Sequence, residues 1–324
     1  MIKMIKVSAP GKLMLFGEHA VVYNRPCIVT AVNHRISASI EEIDDNKIIL
    51  NAPDVDIKDY KVSLDDLEKE HPRKVIFALT AIKNFFKKYN IKSGLNIKTK
   101  SEFSSEFGLG GSSAITVDII KGLSELFEIK LSDKELFDLS YKTVLEIQEV
   151  GSGFDIAAAI YGGTLYFITG GKIIAPIRIK NMPLIVGYTR IKADTALLVK
   201  MVGKRLEENL KKINEIFDES EKIVERAKIE IQRSNWKRVG ELMNLNQELL
   251  RSLGVSSKEL ENLISAALNA GAYGAKLSGA GGGDCMIAIA SEETKRDMEE
   301  AIANAGGIII PVETNAEGVR IEKV

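Results

Sequence analysis

Gly108-Leu109-Gly110-Gly111-Ser112-Ser113-Ala114 is the stretch on which the reading of this chain turns. Before it, Leu95-Asn96-Ile97-Lys98-Thr99-Lys100 alternates apolar and polar residues at the period of a half-buried strand. After it, Ile115, Ile119, Leu123 and Leu126 recur at helical spacing. The stretch therefore reads as a strand-to-helix turn. Its glycines allow backbone angles that other residues avoid, and a close approach to a ligand. The helix that follows offers unpaired N–H groups and the positive end of its dipole. A phosphate suits such a place, and the hydroxyls of Ser112 and Ser113 are at hand for an oxygen or a metal. The chain has no Gly-x4-Gly-Lys-Ser/Thr, so this is not a P-loop.

On the N-terminal side, strands are predicted over 5–9, 12–16, 28–30, 35–41 and 47–50, then a helix over 73–89 with Ile76, Leu79, Ile82 and Phe86 on one face. On the C-terminal side a helix opens at Ser132, which has capping-box spacing to Glu135. A second glycine-bearing segment spans 151–163 and holds Asp155; strands are predicted at 165–168 and 184–188. Beyond Asp194 come helices over 194–232, 236–252 and 257–270, the last introduced by Ser256 and Glu259 at capping-box spacing. Gly279-Ala280-Gly281-Gly282-Gly283, a strand over 285–290, a helix near 292–305 and strands at 307–312 and 318–322 complete the chain. The pattern is α+β in two domains: a mixed α/β N-terminal domain over 1–185 and a helix-rich C-terminal domain with a small antiparallel sheet over 186–324.

The length of 324 residues suffices for two domains, and a charged fraction of 27% is ordinary for a globular protein. A net charge of −1 argues against nucleic acid as the partner. Two cysteines, Cys27 and Cys285, read as buried thiols. No apolar run is long enough for a membrane span, and Met1-Ile2-Lys3-Met4-Ile5-Lys6 is too short and charged for a secretory leader, so a cytoplasmic protein is expected.

Several residues have two readings. Asp155 suits an N-cap or a carboxylate held near a substrate hydroxyl. Glu146 suits a solvated helix face or a magnesium ligand. Lys12 and His19 suit an exposed position or a contact with a phosphate or substrate oxygen. Asp284 is a turn residue or an orienter of the adjacent glycine loop. Arg190, Lys192 and Lys204 are solvated cations or a basic wall for an anionic substrate.

Three motifs appear in order: Pro10-Gly11-Lys12-Leu13-Met14-Leu15-Phe16-Gly17-Glu18-His19-Ala20-Val21-Val22-Tyr23, then Gly108 to Ala114, then Lys276-Leu277-Ser278-Gly279-Ala280-Gly281-Gly282-Gly283-Asp284-Cys285. Together they resemble the GHMP kinase superfamily, over nearly the whole chain, with the archaeal-type mevalonate and phosphomevalonate kinases as the nearest pattern. The resemblance implies the two-domain GHMP kinase fold, ATP and Mg2+, and a small-molecule acceptor, in a monomer or homodimer. It implies that Gly108, Leu109, Gly110, Gly111, Ser112, Ser113 and Ala114 cradle the ATP phosphates. In a gapless alignment the second serine of the usual Gly-Leu-Gly-Ser-Ser-Ala falls on Ser112, implying a magnesium contact, and Gly111 stands where the first serine is usual. Glu146 matches the metal-ligating glutamate approximately. Asp155 falls on the catalytic aspartate and Lys12 on the lysine that pairs with it. Glu18, His19, Gly153, Thr195, Gly281 and Gly282 are the implied substrate contacts.

For the acceptor the resemblance divides. Gly17 to Tyr23 and Leu242-Met243-Asn244-Leu245-Asn246-Gln247 are typical of mevalonate kinases. Gly151 to Ala159 and Gly281 to Cys285 look like phosphomevalonate kinases, with Asp284 where mevalonate kinases usually carry glycine. Because the latter pair lie at the catalytic loops, the expected acceptor is 5-phosphomevalonate. The alternatives are the 5-hydroxyl of mevalonate and an ATP-dependent metabolite sensor without turnover.

Overall fold

The computed structural model of the chain describes residues 3–180 and 182–323; Met1 and Ile2 of the charged start lie outside them. The order is β1 (Met4–Phe16), β2 (Pro26–Ile43), β3 (Lys47–Ala52), β4 (Ile57–Ser63), α1 (Ile76–Tyr89), β5 (Gly94–Ser101), α2 (Gly111–Leu126), α3 (Asp133–Gln148) and α4 (Phe154–Tyr161). Then follow β6 (Thr164–Ile168), β7 (Ile173–Pro176), β8 (Leu184–Tyr188), α5 (Thr195–Glu208), α6 (Leu210–Gln232), α7 (Trp236–Ser252) and α8 (Lys258–Asn269). β9 (Gly274–Ser278), β10 (Cys285–Ile289), α9 (Lys295–Asn304), β11 (Ile308–Ile309) and β12 (Arg320–Ile321) end the chain.

One long strand organises the first sheet. β2 pairs antiparallel with β1 from Met4↔Glu41 to Phe16↔Ile28, and its two halves serve further partners, β5 along 36–43 and β6 along 26–30. The sheet runs β12-β1-β2-β5-β3-β4, with β6 attached to β2 and β7 to β6; the β3–β5 pair is parallel. Sequence patterning reads β1 as two short strands parted at Pro10-Gly11, and β2 as two parted over 31–34. β1 instead runs through Pro10-Gly11 with a shift of register, as an irregularity in an otherwise continuous ladder. β4, with Lys58, Asp59 and Lys61 on a sheet edge, escapes the apolar pattern for the reason that charged edge strands resist association.

The second sheet runs β11-β8-β10-β9, all antiparallel. The expected strand near 318–322 is not part of it: β12 pairs with β1 at Val7↔Ile321, so the chain end returns to the first sheet. One apolar cluster also crosses between the two parts, with Leu13, Leu15 and Phe16 of β1 against Val224, Leu242, Met243 and Cys285.

α2 lies on β1 and β2 between α1 and α3. Val117, Ile119, Ile120 and Leu123 on it are fully buried. Its approach is close: a Cβ at Gly122 would lie 2.6 Å from Ile40 Cδ1. The helical run expected over 194–232 is two helices, α5 and α6. Asn209 divides them, its N–H closing α5 on the Arg205 carbonyl and its side chain accepting from the Lys212 N–H to open α6. The capping box at Ser132 and Glu135 is formed. At α8 the cap is Ser257, which accepts from the Leu260 N–H, while Ser256 donates to Glu261.

Candidate active site

β1 carries Lys12 to the start of α2. The Lys12 N–H donates to the Leu109 carbonyl at 2.9 Å, and its Nζ donates to the Gly108 carbonyl at 2.9 Å. The ammonium also lies 5.5 Å from the centroid of the Phe154 ring, so a nearly buried cation stands between the glycine loop and α4. Gly108 and Gly110 have φ of 68° and 82°, the left-handed region that favours glycine. Space is as restrictive as angle at Gly108: a Cβ there would lie 2.5 Å from Asp284 Oδ2. At Gly110, the N-cap of α2, a Cβ would meet Lys12 Cγ at 3.0 Å. Among the described hydrogen bonds the N–H groups of Gly110, Gly111 and Ser112 have no protein acceptor; the Gly110 carbonyl receives Ser113 and Ala114. That is a cradle of free donors at a helix N-terminus, and a phosphate fits it.

The two serines of the loop part company. Ser112 is half-buried and its hydroxyl has no hydrogen-bond partner among the described residues. Ser113 is buried, and its Oγ donates to Asp155 Oδ2 at 2.6 Å. Asp155 stands half-buried in the first turn of α4, whose N-cap is Gly153 at φ 90°. The Tyr141 ring closes in on Gly153, and the Tyr141 hydroxyl donates to the Gly151 carbonyl at 2.8 Å. The structure thus brings Lys12, residues 108–114 and Asp155 together.

The loop after β9 closes the other side. His19 Nε2 meets the Ala280 carbonyl at 2.9 Å; a carbonyl only accepts, so Nε2 carries the proton. Burial, partly offset by that hydrogen bond, holds the imidazole below its ordinary pKa and so favours the neutral ring. Gly281 and Gly282 face protein: the Gly282 N–H donates to the Val255 carbonyl at 2.7 Å, and a Cβ at Gly281 would lie 2.1 Å from that same oxygen. Around Gly279 nothing lies within 4 Å of a Cβ position, so the loop is open there. Asp284 orients the loop, accepting from the Ala193 N–H at 2.9 Å through Oδ1 while Oδ2 rests against Gly108. Burial raises its pKa, against the opposing pull of the Ala193 N–H, Lys12 and Lys192.

Two expected residues, Glu18 and Glu146, are held by protein partners that the motif resemblance does not foresee. Glu18 is implied as a substrate contact; its side chain is 0% exposed and ion-paired with Lys276 of β9, also 0% exposed. A buried carboxylate needs a charge partner more than it can serve a ligand. Burial raises the pKa of Glu18 and lowers that of Lys276, and each opposes the other's shift. A lysine flanked by Gly274, Ala275 and Leu277 in a buried strand is the sequence signal for this pair. Glu146 lies on α3 with its oxygens on Lys83 Nζ and on Asn84 Nδ2, the latter at 2.9 Å, so it ties α3 to α1. These partners hold its pKa below the ordinary carboxylate value despite desolvation, the largest influence, acting upward. Thr195 is exposed in the first turn of α5, after the N-cap Asp194. Of the three cations considered for a basic wall, Lys192 reaches the loop, donating to the Ser105 carbonyl at 3.1 Å; Arg190 donates to Gly306 and Lys204 pairs with Glu208. Cys27 and Cys285 are buried free thiols whose pKa values burial pushes up.

No cluster of three or more His, Cys, Asp or Glu converges on a metal position among the described residues. Magnesium takes few protein oxygens beside substrate phosphates, either carboxylates or a serine or threonine hydroxyl at a phosphate loop, and the unpartnered Ser112 hydroxyl beside the cradle is of that kind. Glu146 fits only by releasing Lys83 and Asn84.

The chain matches the family models "GHMP kinases N terminal domain" over residues 76–163 and "GHMP kinases C terminal" over residues 227–308. It is 36% identical over 336 aligned positions to the mevalonate kinase of Pyrococcus horikoshii, covering 100% of this chain and 99% of that one. The crystal structure of the Methanococcus jannaschii mevalonate kinase superposes with a TM-score of 0.82 at 30% identity, covering 98% of this chain and 99% of that one. The Streptococcus pneumoniae phosphomevalonate kinase bound to phosphomevalonate and AMPPNP superposes with a TM-score of 0.81 at 19% identity, covering 96% of this chain and 99% of that one, a likeness of fold.

Proposed function

The chain belongs to the GHMP kinases and is a phosphotransferase of the mevalonate pathway, and we propose that it moves the γ-phosphate of ATP to the 5-hydroxyl of mevalonate. The observation that carries this reading is Asp155, a carboxylate beside the phosphate cradle with Oδ2 held by Ser113 and no side chain hydrogen-bonded to Oδ1. A phosphate acceptor is ionised at pH 7 and attacks without losing a proton, whereas an alcohol must give one up. The full-length similarity to proteins named mevalonate kinase supports the same acceptor. The segments that resemble phosphomevalonate kinases weigh less than their position suggests. Gly281 packs on Val255, Gly282 on Leu198, Gly153 on Tyr141, and Asp284 spends an oxygen on Ala193. Those residues answer to protein neighbours, so their identity reports scaffold rather than acceptor.

In this mechanism Asp155 takes the hydroxyl proton as the acceptor oxygen attacks the γ-phosphorus, and ADP leaves. Such a transfer is mostly positioning and charge neutralisation. The N–H groups of Gly110, Gly111 and Ser112 donate to phosphate oxygens, and Lys12 offsets negative charge where loop and acceptor meet. Magnesium would supply charge neutralisation at the phosphate oxygens; Ser112 is the residue that would hold it, and Glu146 would join only if freed from both Lys83 and Asn84. His19 holds the 279–283 loop in place, and the Thr195 hydroxyl is assigned to the acceptor side.

ADP release measured in parallel with mevalonate and phosphomevalonate tests the acceptor. Turnover is expected with mevalonate; faster turnover of phosphomevalonate overturns the reading, and no ADP with either leaves a sensor. Asp155→Ala should lower kcat by about 10²- to 10⁴-fold, the usual worth of a general base, at an unchanged melting temperature. Near-normal turnover in that variant removes Asp155 from the mechanism.

A further inference from the structure

We propose that Ser113 selects the oxygen of Asp155 that takes the acceptor's proton; the proposal rests on the alcohol-acceptor reading above. Ser113 is 1% exposed and so cannot itself meet a substrate. Its Oγ donates to Asp155 Oδ2 at 2.6 Å across 42 residues of chain, from the first turn of α2 to the first turn of α4. A serine hydroxyl has a single proton to give, and here it is given to Asp155.

The bond divides the carboxylate's two oxygens. A carboxylate turns easily about its last torsion, where the wells are broad and two-fold. Held at Oδ2, Asp155 loses that freedom. Oδ1 keeps only the N–H of the next residue, Ile156, at 3.2 Å, and is the oxygen with lone pairs to spare. The O–H bond of the acceptor then breaks toward Oδ1 while its oxygen bonds to the γ-phosphorus and the bond to ADP opens. Ser113 is therefore a positioning residue, acting through Asp155.

Lys12 does not do this work. Its ammonium donates to the Gly108 carbonyl, and it forms no ion pair with Asp155 among the described residues.

Ser113→Ala tests the assignment by steady-state kinetics with mevalonate and ATP. Loss of orientation at the base should lower kcat about 10- to 100-fold, with both KM values within about twofold, the pattern of an interaction made in the transition state. Placed on Asp155→Ala, the same substitution should cost nothing further, because residues that act as a unit are not additive. Wild-type kcat in Ser113→Ala, a KM rise of the same size as the kcat loss, or a further drop in the double variant each overturns the proposal. A merely structural tie between the helices would produce the last two. Failure of the mevalonate reading is seen separately, in the acceptor preference of the unaltered enzyme.

Discussion

At the scale of single residues, Asp118 shows how burial without a partner becomes a pH-dependent property. It lies on α2, fully buried, and neither carboxylate oxygen has a hydrogen-bond partner among the described residues. Desolvation pushes its pKa well above the ordinary 3.8; Arg35 pulls the other way and Glu322 adds to the rise. A raised folded pKa means that the native state favours the protonated acid. Its contribution to stability is full below about 3.8, the unfolded value, and is lost as pH rises toward the folded one. Asp118→Asn cannot ionise. Its unfolding free energy relative to the wild-type protein should therefore shift in the variant's favour between pH 4 and pH 8, measured by urea titration. A difference constant over that range would sink the account. Asp118 lies on α2 and Asp155 on α4 beside the α2 loop; the contrast between a buried carboxylate without a hydrogen-bond partner and one met by a serine is invisible in either local sequence.

At the scale of elements, the helices owe their limits to short-range chemistry that the sequence carries openly. α3 begins where Ser132 accepts from the Glu135 N–H and the Glu135 side chain returns to the Ser132 N–H. Two orphan donors are satisfied within four residues, so the boundary is readable from the capping-box spacing alone. Ser132→Ala should cost about 1 kcal/mol of stability, read as a lower urea midpoint at unchanged slope and unchanged kcat; no shift in midpoint refutes the cap's contribution. α5 and α6 are the counter-case. The apolar period is nearly continuous across them, and the break depends on Asn209 serving one helix through its N–H and the next through its side chain. A single asparagine in a charged helical run is a weak signal until the chain is seen to bend there. β1 fails in the opposite direction: Pro10-Gly11 has the composition of a turn, but pairing with β2 on both sides of it carries the strand through.

At the scale of the whole molecule, the buried Glu18–Lys276 pair joins the segment after β1 to β9 of the second sheet. Ser278 works beside it, its Oγ donating to the Met14 carbonyl at 2.9 Å and accepting from the Met14 N–H at 3.1 Å. Lys276→Met alone strands a buried carboxylate and should destabilise the protein by about 3–5 kcal/mol; pairing it with Glu18→Leu should recover much of that loss. Chemical denaturation of the two variants decides the matter, and equal stability of single and double variants contradicts the pair's role. Because Glu18 neighbours His19, which holds the 279–283 loop through Ala280, the same pair supports one wall of the candidate site.

The sequence by itself determined the glycine turn between β5 and α2, the apolar faces of α1 and α2, the caps, the order of three motifs and hence the family. Each is a local matter: helical period, left-handed glycines and capping hydroxyls act within a few residues, and a one-dimensional string records them in place. The tertiary structure alone decided that Ser113, not its neighbour, meets Asp155, that Glu18 is sealed against Lys276 rather than facing a ligand, and that β12 returns to β1. Those contacts span 42, 258 and about three hundred residues of chain. They follow from the register of β1 on β2 and the seating of α2 and α4 over it, quantities set by packing across the molecule and written at no single position.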